Sequence, residues 1–106
     1  MSDTEQRAGD LAAAVQEAVT ILRRHGVAHW PSALEDVLPL IKRRDALGLE
    51  RLVAMFGGMG SLNDVLVSRF NGHHISELEE APVNRTLHAS LSRAYTLARE
   101  LLREAR

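Results

Sequence analysis

Residues 83–105, VNRTLHASLSRAYTLARELLREA, decide the fold class. Val83, Leu87, Leu91, Ala94, Ala98, Leu101 and Ala105 recur at steps of four, four, three, four, three and four, with Leu97 and Leu102 widening the stripe. That spacing places them on one face of a helix predicted over 83–105, which must bury the stripe against a partner.

Residues 4–25 supply the partner. Leu11, Val15, Ala18 and Leu22 repeat the same period, with acids early (Asp3, Glu5, Asp10) and bases late (Arg23, Arg24), as the helix dipole favours. Gly26 provides a left-handed stop. The two widest apolar stripes are expected to pack on one another.

Between them lie shorter elements. Pro31 keeps the preceding residue out of helical angles, so VAHWP reads as an extended connector. Ser32 and Glu35 have capping-box spacing. Leu34, Val37, Leu38 and Ile41 follow as an apolar face, and Pro39 predicts either a kink or a later start near Asp36. Asp45 suits the N-cap of a third helix carrying Leu49, Leu52, Val53 and Phe56, which Gly57 ends. VLVSRFNGHHIS leads β-branched residues into Asn71-Gly72, a hairpin signal, yet HHIS is a poor second strand. A small hairpin near 65–75 and a plain loop are both compatible with that pattern.

The expectation is therefore one all-α domain over 1–106, a compact bundle of four or five helices with unstructured first residues. No cysteine is present, which removes disulfides and thiolate metal sites. The net charge of −1 argues against general nucleic-acid binding. MSDTEQ is the reverse of a secretory leader, and apolar runs of no more than five residues, such as LAAAV, cannot cross a membrane. A cytoplasmic location is expected.

Few residues suggest chemistry. FGGMGSLND offers Gly57, Gly58, Gly60, Ser61, Asn63 and Asp64, which could cradle a phosphate or other small ligand. It lacks the Gly-Lys-Ser/Thr of a P-loop, and no strand precedes it as a dinucleotide fingerprint requires. A hinge accounts for it: Gly57 ends one helix and Ser61 caps the next turn. His25, His29, His73, His74 and His88 have no zinc-ligand spacing, so no metal or cofactor is assigned. No nucleophile elbow or buried carboxylate pair supports catalysis. Against this, Glu77, Glu79 and Glu80 concentrate negative charge that could steer a protein partner. Trp30 is either a lid over the core or an interface anchor.

The run Phe56–Asp64, followed by Asn71-Gly72-His73 and LSRAYTLARELL, resembles a family of small uncharacterised bacterial proteins over Asp45 to Leu102. The resemblance implies a bacterial cytosolic protein and brings no activity. In general form the chain is also similar to immunity proteins that neutralise bacterial toxins. The leading expectation is thus a non-enzymatic protein-binding module, concretely a toxin-neutralising immunity protein, with a homodimer as a further expectation. The alternative is a ligand-binding protein or enzyme built on the glycine loop.

Overall fold

A computed structural model describes residues 3–105. It holds four α-helices: α1 (Asp3–Arg24), α2 (Pro31–Lys42), α3 (Ala46–Ala54) and α4 (Glu77–Ala105). Short 3-10 turns occur at Leu62–Asp64 and Arg69–Asn71. The all-α bundle is as expected. Met1 and Ser2, part of the expected unstructured start, lie outside the described residues, and α1 is already formed at Asp3.

α4 has 29 residues, about 44 Å at 1.5 Å per residue, and matches the 43 Å long axis of the molecule. It packs along α1, as the two stripes predict, and α2 and α3 close the other side. Leu11, Val15, Val19 and Leu22 of α1 meet Leu87 and Leu91 of α4 in one core with Leu34, Ile41 and Leu52. Buried Ala14, Ala18, Ala94 and Ala98 present small side chains in an aromatic-poor core. Polar pairs fasten the seam at its edge: Arg7 with Glu104, Ser90 with Glu17, and Arg93 with Asp10 at 3.5 Å. Glu100 faces Arg7 across the seam at 3.6 Å.

Two boundaries differ from expectation. α2 begins at Pro31 and runs through Pro39, so its start is neither Ser32 nor Asp36. Proline suits the first helical position, because its missing N–H would have no partner there. Trp30 takes the cap position, and Glu35 reaches Arg23 of α1 instead of closing a box with Ser32. α4 begins at Glu77, six residues before the apolar stripe. The Oγ of Ser76 donates to Glu79 at 2.8 Å, and Glu79 also accepts from the Ser76 backbone N–H at 3.0 Å. This is a capping-box contact that starts the helix on polar residues. Pro82, the sixth residue of α4, lies inside the helix and leaves the carbonyl of the exposed Leu78 without its helical donor.

Helix ends are handled by left-handed residues. Gly26 has φ 71°, and Val27 N donates to Leu22 O at 2.9 Å. α2 ends in the same Schellman pattern, with Asp45 N donating to Leu40 O at 2.9 Å, but the left-handed residue is Arg44, at φ 59°. Asp45 caps α3 as expected, accepting from Leu47 N at 3.0 Å.

Candidate functional site

The residues singled out from sequence lie mostly between α3 and the start of α4. In the glycine loop, Gly57, Gly58 and Gly60 have φ of 96°, 81° and 75°, so the turn needs residues without a Cβ. Leu62 N donates to Met55 O at 2.8 Å, and the fully buried Leu62 side chain plugs the loop into the core. Gly57 N donates to the Asn63 side chain at 3.0 Å, and Gly60 N to Asp64 at 2.8 Å. Ser61 donates to Gly58 O at 2.8 Å and also bonds the side chain of Asn63. It therefore gives no cap bond to the following turn, where a cap was expected. Two amides that could hold an anion are occupied by the loop's own side chains, one of them a carboxylate.

The segment 65–76 is not a hairpin. Ser68 caps the 3-10 turn Arg69–Asn71, and Gly72 ends it at φ 78°. His73 N donates to Ser68 O at 3.2 Å, while its ring Nδ1 accepts from Ser68 N at 3.0 Å. The imidazole thus occupies the place that the carbonyl of a second strand would take. The rest is stitched to the helices. Asn84 of α4 binds Val67 twice, and the His88 ring donates from Nε2 to Val65 O at 2.7 Å. Buried His25, at the end of α1, donates from Nδ1 to His74 O at 2.6 Å, and His74 N returns a bond to His25 O at 2.8 Å. These histidines serve the backbone.

Glu77, Glu79 and Glu80 stand together at the start of α4, partly engaged within the chain. Arg69 pairs with Glu77 at 3.2 Å and with Glu80 at 3.3 Å. Hydrogen bonds from Ser76, first its hydroxyl and then its backbone, hold the Glu79 carboxyl below the ordinary glutamate value. Beside these acids the surface is unexpectedly apolar. Phe70 is 86% exposed, with the Arg69 guanidinium 5.2 Å from its ring centre, and Leu78, next to Glu77, is 90% exposed. Leu66 is half exposed on the same segment. Trp30 stands apart, at the start of α2, half-buried against the core with its ring 4.7 Å from His29. Its backbone is held at φ 81°, a conformation that bulky residues rarely adopt.

Sequence reasoning missed Asn84, Phe70 and Leu78. Asn84 falls three residues before Leu87 on the apolar stripe, so a lone amide there was the available signal. Phe70 lay in the segment read as a hairpin or a loop, and Leu78 stands alone among Glu77, Glu79 and Glu80, where no apolar period marks it.

The fold is that of a small all-α bundle, and among the described residues no helix is long and apolar enough to cross a membrane. A family model, a domain of unknown function (DUF6966), matches residues 23–76, about half of the chain. The chain belongs to that family. The match starts upstream of the Asp45-to-Leu102 stretch of the resemblance, contains the glycine loop and Asn71-Gly72-His73, and ends at Ser76, where α4 is capped. No curated protein and no solved structure matches.

Proposed function

We propose that the protein works by binding another protein, and that its contact surface is the 66–80 segment with the acidic start of α4. One observation carries this reading: Phe70 and Leu78 stand almost fully exposed beside Glu77 and Glu79. Large apolar side chains flanked by charge are the composition of an interface centre and its rim. Arg69 is tied to Glu77 and Glu80 and lies against Phe70, so the surface is organised before a partner arrives. Preorganisation lowers the ordering cost of association.

The partner that fits is a protein with a basic rim around an apolar contact. Its concrete form is a bacterial toxin with a nucleic-acid-binding surface, which the carboxylates would cover as an immunity protein does. The test is co-expression. The tagged chain is used to capture partners from its native cells, and the captured protein is then expressed with and without it. Rescue of growth from a toxic partner supports the reading; a partner that is harmless alone overturns the immunity form.

A further inference from the structure

We propose a second, separate site: a cleft at the end of the bundle that takes a short-chain carboxylate, with Arg44 as its anion anchor. The cleft measures about 240 Å³ and opens where the start of α1, the α2–α3 junction and the end of α4 meet. Its wall is aliphatic, formed by Ala8, Ile41, Leu49 and Leu101. Arg44 and Asp45 stand on one side, and Thr4 and Glu104 on the other. A second shallow cleft, lined also by Glu5, Gly9, Ala12 and Lys42, shares Ala8, Ile41 and Arg44 with the first. Arg44 therefore stands between two depressions.

Charge selects the ligand class. Asp45 is occupied in capping Leu47 N, and Glu104 is engaged by Arg7 and by the Thr4 hydroxyl. Arg44 makes one bond, from Nη1 to Lys42 O at 3.3 Å, which leaves most of its donors open. The ion pairs formed by Arg7, Arg23, Arg69 and Arg93 do not draw on Arg44. The backbone makes the residue choice pointed. Arg44 holds the left-handed position at φ 59°, where glycine is favoured and every side chain is strained. Strain kept at one residue beside a cleft is a mark of function. The volume limits the chain length, because sites for drug-sized ligands run to about 300–1,000 Å³.

The test titrates the full chain with hexanoate, octanoate and 1-octanol, following backbone amide shifts by NMR. Saturable shifts are expected at Ala8, Ile41, Leu49 and Leu101, with octanoate tighter than hexanoate by about fourfold per methylene. The alcohol should bind at least about tenfold more weakly than octanoate, and Arg44→Gln should abolish that difference. Arg44→Gly should raise the urea midpoint while weakening octanoate, since it relieves strain and removes the anchor. The proposal is overturned by unsaturated shifts, by shifts elsewhere, by octanol binding as tightly as octanoate, or by unchanged octanoate affinity in either Arg44 variant. None of these outcomes bears on the Phe70–Leu78 surface, which belongs to a different part of the chain.

Discussion

The side-chain amide of Asn84 holds Val67 by both of its backbone groups, accepting from Val67 N at 2.8 Å and donating to Val67 O at 2.8 Å. Its Nδ2 also reaches Glu80 O, one turn back on α4, at 2.8 Å. One amide thereby does what a neighbouring strand would do for the buried Val67. It also fixes the segment that presents Phe70. Asn84→Leu leaves two buried backbone groups unpaired, so a loss of roughly 2–4 kcal/mol in unfolding free energy is expected. Urea denaturation measures it, and a loss below about 1 kcal/mol would show that the pairing contributes little.

Glycine positions separate close packing from backbone conformation. A Cβ on Gly48 would lie 2.6 Å from Leu40 Cβ and 3.2 Å from Ile41 N, where α3 crosses α2. Gly48→Ala should cost about 1–3 kcal/mol. Gly57 and Gly60 have open space around them but positive φ, so alanine there should cost about 1 kcal/mol through the backbone alone. Gly9 lies within α1 with nothing within 4 Å, and Gly9→Ala should stabilise by up to about 1 kcal/mol. Denaturant midpoints for the four variants should fall in that order; equal midpoints for Gly48→Ala and Gly9→Ala would refute the close approach of α2 and α3.

The helices were legible where their apolar period was strong. α1 and the body of α4 are helices that bury a stripe, and the stripe is visible in the sequence. The first six residues of α4 carry no such period. Their helix rests on Ser76 and Glu79, and an acidic cap reads just like an acidic loop. The segment 65–75 misled because Asn71-Gly72 offers left-handed turn chemistry that a 3-10 turn uses as readily as a hairpin. Exposure of Phe70 depends on which way that turn faces, and that of Leu78 on where the capped start of α4 points; local pattern encodes neither. Arg44 is similar, since nothing local marks an arginine that will take the place of a glycine.

Acid should weaken the fold through specific carboxylates. Glu35 is held below the ordinary glutamate value of 4.5 by its hydrogen bond from Arg23, Glu104 by that from Arg7, and Glu79 by those from Ser76. A lowered folded-state value means stabilisation that is fully present above about pH 4.5 and lost as pH falls through the folded values. All three side chains are solvent-exposed, so each contribution is modest. Melting temperature followed from about pH 7 to pH 3 should stay level to about 4.5 and then decline. Glu79→Gln should lower the plateau and flatten the decline; a decline of full steepness in that variant would remove Glu79 from the account.

The central claim is that Phe70 and Leu78 anchor a protein partner, and affinity for the captured partner tests it most directly. Binding by wild type, Phe70→Ala/Leu78→Ala and Glu77→Lys is to be measured by isothermal titration, with melting curves confirming that each variant is folded. Anchors at an interface centre are worth about 2 kcal/mol or more each, so the double variant should bind at least about a hundredfold more weakly. Glu77→Lys should weaken binding less, and mainly at low salt. Unchanged affinity in a folded Phe70→Ala/Leu78→Ala variant would contradict the claim.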